Sequence, residues 1–566
     1  MKNILIDDLN LLLKLKKSIL DKNYFLTNNP TVYKYLFIKN KKVNLLSSFI
    51  NPKLLIKIHK DSFDKFQNLL IDLDKNPKLK KDLEIKSTNL FYNSFRYLPA
   101  IYFAGLKSNS TIILKFLKKN QFNKIYFFGE IVNQFYDNEM LYEDLLLKNY
   151  NIKIIKYTNS ELVRKNLIDK KKNIRFLNSL NIDIVVNQAR KIIFKKFYKC
   201  KKKNLIIEPL WDLFYYKYDL KKNLIVNLNE KIKNKNFQSF KNKKININLI
   251  KIIDKIYVKK KKFFSKKILK KIIIDALEVN YKLNFLIEEV NILIKKFNFD
   301  NVIWCCDPDK YIANIIGYFK KKDIPVYGIQ HGGSYLLQNY NIHHKHSDFN
   351  LCDKFLTYGS SKYLKHKKFI EVGCLRDQFY KKYFNKVKSL DFKNKKIMYV
   401  PNPILNDPLS KPSYLKIKLQ DDIIDFLRKS KIRPIIKLPQ TPDINHYPLL
   451  LEKNELMEHF LLVYEKIYKS IIKHQPEIII LDHFSTSIYE CLLSKSEIIL
   501  FLDKLNMPKK DVLHKLKKRA HIIYKFSELE ILVNKIFKDK LKKRNNEFYK
   551  KFFSKKNEKK LLEILN

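Results

Sequence analysis

Glycine is nearly absent from this chain of 566 residues, which holds 8, together with 6 alanines and, among 114 basic residues, only 9 arginines. Glycine normally makes up about 7% of a protein. A chain this poor in it keeps glycine where a side chain would not fit, at positive φ or where backbones approach closely. Gly317, Gly328, Gly332, Gly333, Gly359 and Gly373 fall in one short stretch, and 8 of the 17 prolines lie between Pro401 and Pro448. Residues 300–450 are therefore expected to carry the special backbone geometry. Six scattered cysteines, with Cys305 and Cys306 adjacent, exclude a disulfide framework and point to reduced thiols. No run of about 18 apolar residues occurs. Met1-Lys-Asn-Ile-Leu-Ile-Asp-Asp lacks the basic and apolar regions of a secretory signal. A cytoplasmic protein is expected, soluble or peripheral at the inner face of the cytoplasmic membrane.

What the chain has in excess is lysine: 114 basic residues against 56 acidic give a formal net charge of +58. One reading is a protein that binds nucleic acid or another polyanion. Against it, no nucleic-acid module is visible, and arginine, the main reader of guanine edges, is scarce; no specific nucleic-acid partner is expected. Lys, Asn, Ile, Phe and Tyr are all written by AT-rich codons, so we take most of the charge as genome composition. A Lys-to-Arg ratio in other proteins of the same genome near the average would overturn this. A hydrophobic share of 46% excludes a mainly disordered chain, and the length allows about two to four domains.

Short apolar runs alternate with helical patterns. Lys124–Phe128, a helix over Met140–Asn149, Ile152–Tyr157 and Ile182–Val186 read as βαβ units of a parallel sheet. Lysine-dense residues 192–275 read as an irregular or helical insertion. Val302–Cys306, the turn Asp307-Pro308-Asp309, a helix over Lys310–Lys322 and the strand Ile324–Gln330 follow, the last ending in His331-Gly332-Gly333. Phe355–Tyr358 and Phe369–Val372 end at Gly359 and Gly373. A second alternating unit runs through strands Ile397–Val400 and Pro434–Lys437, a helix over Leu449–Lys473, strands Glu477–Leu481 and Glu497–Leu502, and a helix over Ser527–Phe537 opened by a Ser527/Glu530 capping box. The expected fold is α/β, two Rossmann-like doubly wound domains facing across a cleft, as in GT-B enzymes. Residues 1–385 are expected as an N-terminal domain, 395–535 as a second one and 536–566 as a basic C-terminal helix; the GT-B likeness would make the first the acceptor domain and the second the nucleotide-sugar domain. That helix suits either an anionic membrane surface or packing back on the first lobe.

Gly328-Ile-Gln330-His331-Gly332-Gly333-Ser-Tyr335, Ser347-Asp348, Thr357-Tyr358-Gly359, Val372-Gly373-Cys-Leu-Arg376-Asp377 and Asp482-His-Phe-Ser485-Thr486-Ser487-Ile-Tyr-Glu490 together resemble a bacterial transferase family of surface-carbohydrate gene clusters. The resemblance covers about 300–505 and extends more distantly to the capsule Kdo, polysialic acid and teichoic-acid glycerophosphate transferases. It implies a metal-independent glycosyltransferase without a cofactor. The enzyme would move a sugar from a nucleotide-sugar donor to a lipid-linked or oligosaccharide acceptor, within a growing cell-surface polysaccharide or lipopolysaccharide. A CDP-polyol (glycerophosphate) phosphotransferase on the same scaffold is the alternative.

The residues suit that chemistry. A glycine pair lets backbone N–H groups approach phosphate, and a histidine titrates near neutrality. Gln330, Gly332 and Gly333 are expected at the donor, with His331 as base or phosphate donor; a histidine hydrogen-bonded in a tight turn is the plainer reading. Ser485, Thr486 and Ser487 stand at a helix start, either as N-caps or as a phosphate site. The resemblance puts Glu490 on the donor ribose and Asp482 among the catalytic groups; Glu490 also suits a capping box with Ser487. Lys437 neutralises phosphate or is a surface lysine; Leu438-Pro439 stands where related enzymes carry His-Pro. Arg376 either meets the donor or pairs with Asp377 or another carboxylate. Asp307, Asp309 and Tyr335 are assigned to the acceptor, the two aspartates alternatively to a plain helix-start turn. His343, His344, His346 and Cys352 match no standard zinc spacing, and no metal is expected.

Overall fold

The computed structural model describes residues 3–120 apart from 7, 8, 28, 83–88 and 97, and the strands Lys124–Phe128, Lys153–Tyr157, Asn204–Ile207 and Asn223–Val226. From 247 to 565 it describes all but 261–262, 305–309, 331, 333–336, 340–348, 360–367, 386–395, 405–412, 445, 504–506, 539–540, 544 and 555–557. The expected elements Met140–Asn149 and Ile182–Val186 lie outside the described residues.

Among the described residues, three parallel sheets organise the chain. The first holds β1 (Asn3–Leu5), β2 (Tyr24–Thr27), β3 (Val43–Leu45), β4 (Lys124–Phe128) and β5 (Lys153–Tyr157), in the order β3-β2-β1-β4-β5. The second holds β6 (Asn204–Ile207), β7 (Asn223–Val226), β8 (Asn301–Trp304), β9 (Val326–Ile329), β10 (Lys354–Thr357) and β11 (Phe369–Glu371), in the order β11-β10-β9-β8-β6-β7. The third holds β12 (Ile397–Val400), β13 (Ile435–Lys437), β14 (Leu461–Val463), β15 (Ile478–Leu481), β16 (Glu497–Phe501) and β17 (Ala520–Ile523), in the order β14-β13-β12-β15-β16-β17. The α/β class with doubly wound parallel sheets is as expected.

Parallel strands buried on both faces read as unbroken apolar runs, and the third sheet shows why. In β15, Ile479 and Leu481 join Met398, Val400, Ile498 and Leu500 on one face. Ile478 and Ile480 join Ile397, Tyr399, Ile499 and Phe501 on the other. Successive side chains point to opposite faces, so each strand feeds two cores at once.

Several expectations change. The range 1–385, read as one unit, carries two sheets. Residues 192–275, read as an insertion, supply β6 and β7, and β6 sits inside the second sheet between β7 and β8; dense lysine around Asn204–Ile207 and Asn223–Val226 hid two short buried runs. The single helix expected over Leu449–Lys473 is instead a 3-10 turn, the helix Lys453–His459, β14 and the helix Ile467–His474. The helix Ser527–Phe537 begins without a side-chain cap, so the Ser527/Glu530 box does not form. The C-terminal segment is two helices, Glu547–Phe552 and Glu558–Leu565, whose apolar stripe faces inward. Phe548, Tyr549, Phe552 and Phe553 are buried against the third sheet. Leu561 is buried with Ile206, Ile303, Ile329 and Leu356 of the second, and Asn204 donates to the Ile564 carbonyl at 3.1 Å.

This tail ties the two units together, as do the Cys374 N–H to the Phe553 carbonyl at 2.9 Å and the Lys509 N–H to the Leu337 carbonyl at 2.9 Å. Among the described residues no helix is long and apolar enough to cross a membrane.

Candidate functional site

In the third sheet the strand order reverses between β12 and β15, and ligands of open parallel sheets bind outside the carboxyl ends of strands at such a point. A cavity of about 470 Å³ opens there. The ends of β12, β13 and β15 supply Pro401, Lys437 and His483 to its walls. The residues following β11 supply Arg376, Phe379 and Tyr380. Gly373, at φ 80°, takes the left-handed turn that a side chain resists and redirects the chain from β11 toward the cavity. Gly328 meets the other expectation: a Cβ there would lie 2.7 Å from the Phe355 ring.

Glu490 is the centre of the site. Its Oε1 accepts from the Tyr380 hydroxyl at 3.1 Å and its Oε2 from the Tyr468 N–H at 3.2 Å. The Arg376 guanidinium donates to the same Tyr380 hydroxyl at 3.2 Å. Glu490 therefore belongs to a relay from Arg376 through Tyr380, and the capping box with Ser487 does not form. Burial raises its carboxyl above the ordinary 4.5, held in check by Tyr380, Arg376, the Tyr468 N–H and Lys437. Tyr380 is raised by burial and by Glu490, so it stays a neutral donor. Arg376 acts on the Glu490 carboxylate, which its charge helps to hold down, while the Asp377 oxygens are engaged by Tyr549, Lys381 and Ser554.

Lys437 is 7% exposed and donates to the Leu438 carbonyl. Burial pushes its ammonium down to about 8, against the pull of Glu490 and Glu465. It is a buried cation on the cavity wall, not a surface lysine.

Asp482 lies beneath the cavity and does not border it. Its side chain is 4% exposed and accepts from the Tyr399 hydroxyl at 2.9 Å, the Asn402 N–H at 2.8 Å and the Gln420 amide at 3.0 Å. His483 Nδ1 lies 3.0 Å away. Burial alone would raise the Asp482 carboxyl; the bonds from His483, Gln420 and Tyr399 outweigh it and hold the group below 3.8. Its lone pairs are spent on protein donors, so the expectation of a catalytic group gives way to an anchor. Asp482 fixes the Pro401 loop and orients His483, whose ring borders the cavity.

Ser487 also borders it, and its N–H donates to Ser485 Oγ at 3.3 Å. The helix Ser487–Leu492 begins after Thr486 without a side-chain cap. Gln330 is buried and engaged at both ends: Nε2 donates to the Gly332 carbonyl at 2.6 Å, and Oε1 accepts from the Tyr358 N–H at 3.0 Å. It shapes the loop and is not among the cavity walls. His331, Gly333, Asp307, Asp309 and Tyr335 lie outside the described residues.

Sequence reading missed Tyr380, Tyr468 and His483. Tyr380 stands four residues after Arg376, a helical spacing that pairs side chains. Tyr468 was concealed by the single helix expected there, and His483 sits beside the aspartate that drew attention. Chemically, Arg376 and Lys437 suit phosphate and Glu490 accepts hydroxyl protons. Phe379 and Tyr468, edge to face at 5.4 Å, form an aromatic wall of the kind that bases stack on. Among the described residues no cluster of three His, Cys, Asp or Glu side chains forms a metal site.

No family model matches the chain, and no curated protein matches it. Among solved structures it is similar to the UDP-GlcNAc 2-epimerase from Neisseria meningitidis bound to UDP-GlcNAc, at 14% identity and a TM-score of 0.34, over 51% of this chain and 81% of that one. It is also similar to the UDP-GlcNAc 2-epimerase from Methanocaldococcus jannaschii, at 13% identity and 0.33 over 50% and 81%. The MurG of Acinetobacter baumannii follows at 8% identity and 0.31 over 50% and 78%. The chemistry of the site is read from its own residues.

Proposed function

We propose that the chain is a glycosyltransferase that takes a nucleotide-sugar donor into the cavity of the third unit. The observation that carries this reading is one 470 Å³ cavity, at the switch point of a Rossmann-ordered sheet, combining buried Lys437 and half-buried Arg376 with the Glu490 relay. Lys437 and Arg376 neutralise the phosphates, Glu490 accepts from the ribose hydroxyls, and the aromatic wall takes the base. In the transfer, an acceptor hydroxyl oxygen bonds to the anomeric carbon and its proton passes to His331. The bond from that carbon to the donor phosphate oxygen breaks, and the leaving nucleotide keeps the electron pair. The acceptor is a lipid-linked or soluble oligosaccharide of a cell-surface polymer, met at the inner face of the cytoplasmic membrane.

The test is calorimetric titration with CMP-, UDP-, GDP- and dTDP-sugars, followed by mass spectrometry of products. At least one donor is expected to bind in the micromolar range. Glu490→Gln should weaken it about tenfold, the value of one charge-assisted hydrogen bond, with the loss vanishing for a 2′,3′-dideoxy analogue. Failure of all four donors to bind would sink the proposal. A polyol phosphate in the product would move the reaction to phosphotransfer on the same scaffold.

A further inference from the structure

The first sheet has no part in the cavity, yet its unit is fastened to the cavity's walls. The helix Pro30–Ile38 is capped by Asn29, whose side chain accepts from the Thr31 and Val32 N–H groups. That leaves the Thr31 hydroxyl to donate to the Ile444 carbonyl of the third unit at 2.8 Å. One turn on, the Lys34 ammonium, on a side chain 9% exposed, meets Asp421 at 2.7 Å and Glu452 at 3.0 Å. Beside them Leu45, at the end of β3, is buried with Ile404 and Ile417.

Each contact lands on a segment that shapes the site. Ile444 lies between Gln440 and Tyr447, which both border the cavity. That stretch is tied to the Pro401 loop by the Ile404 N–H to the His446 carbonyl at 2.8 Å. Glu452 closes the 3-10 turn that begins at Pro448. Asp421 neighbours Gln420, which donates to the Asn402 carbonyl at 2.7 Å and to Asp482 at 3.0 Å, and Asp482 orients His483. A buried cation shared by two half-buried carboxylates is costly to remove, because the two like charges are then left side by side and partly desolvated.

We propose that the first unit is a working part of the site, with Thr31 and Lys34 as positioning residues that hold residues 439–447 and the helix Ser413–Arg428 in the shape the ligand needs. Its binding readout rests on the nucleotide reading above; its structural readout does not.

The experiment uses the full chain with Thr31→Val, Lys34→Met and Lys34→Arg. Hydrogen exchange is followed at the amides of 439–447 and, as an internal control, of β16. Titrations use CDP, UDP and GDP. Loss of one hydrogen bond, about 1 kcal/mol, should speed exchange at 439–447 about fivefold in Thr31→Val. Lys34→Met should speed it more than tenfold, Lys34→Arg should largely restore it, and β16 should stay unchanged. Nucleotide Kd should rise in the same order. Unchanged exchange at 439–447, or equal acceleration in β16, overturns the proposal. Thr31→Val keeps the side-chain volume, so it decides the matter if Lys34→Met does not fold. Should no nucleotide bind the wild type, the functional reading falls while exchange still decides the positioning role.

Discussion

Lys437→Met is expected to move affinity and stability in opposite directions. An amine that ordinarily titrates at 10.5 is held at about 8 because burial disfavours its charge. Each pKa unit is worth about 1.4 kcal/mol, so keeping the ammonium charged at pH 7 costs the empty protein about 3 kcal/mol. Methionine fills similar space without charge. The pull of Glu490 and Glu465 is already contained in that value; some of the gain is lost because the Leu438 carbonyl forfeits its bond from the ammonium, which leaves a net stabilisation of about 1–2 kcal/mol and a melting temperature a few degrees higher.

Binding moves the other way. A charge-assisted hydrogen bond to phosphate is worth about 1.5–3 kcal/mol, so the Kd for a nucleoside diphosphate should rise about 10- to 100-fold. The wild type should also bind more weakly as pH rises through about 8, where the ammonium discharges, and the variant should lack that step. For stability the folded value lies below the unfolded one, so the unfolded chain binds more protons between 8 and 10.5. Stability therefore gains from this group as pH rises through that window. Calorimetry between pH 6.5 and 9.5, with melting curves of the empty proteins, gives all three readouts. A variant that is destabilised, or that binds diphosphates with the wild-type affinity and pH slope, would refute a buried phosphate-binding ammonium.

Two further outcomes check the anchors of the site. Asp482→Asn sets an amide NH₂ among donors from Tyr399, Asn402, Gln420 and His483 and should cost about 3 kcal/mol in urea denaturation. The wild-type carboxyl is held below 3.8, so its contribution is complete above that value and disappears as pH falls through the lower folded one. The gap between the two proteins should accordingly narrow only below about pH 4. Leu561→Ala, in the C-terminal helix, should cost about 2–5 kcal/mol because the residue is fully buried. Leu561→Asp should be worse. If Leu561→Asp instead kept full stability and lost only vesicle binding, the helix would be a membrane anchor and not part of the core.

The inner strands were legible because a parallel strand covered on both faces is apolar along most of its length. Ile397–Val400 and Lys124–Phe128 are found as read, and Ile478–Leu481 differs by one residue. Scarcity sharpened the rest: with so few glycines and arginines, Gly373 and Arg376 stood out, and one takes positive φ while the other borders the cavity. The strands β1, β2, β3, β6, β7, β14 and β17 were missed because runs of three or four residues carry no period of their own and become strands only when a neighbouring sheet edge offers hydrogen bonds.

Sequence alone thus determined the α/β class and the ends of the inner strands, which depend on local pattern, while the candidacy of Lys437 and Glu490 came from the resemblance of their motifs. Tertiary structure decided that Glu490 answers to Tyr380 and Arg376 from another unit, and that Asp482 serves the loop beneath. It also turned the C-terminal stripe inward and gave Thr31 and Lys34 partners about 400 residues away. Burial and long-range pairing fix which lone pairs are spent and which remain for a ligand, and neither is a property of any short stretch of chain.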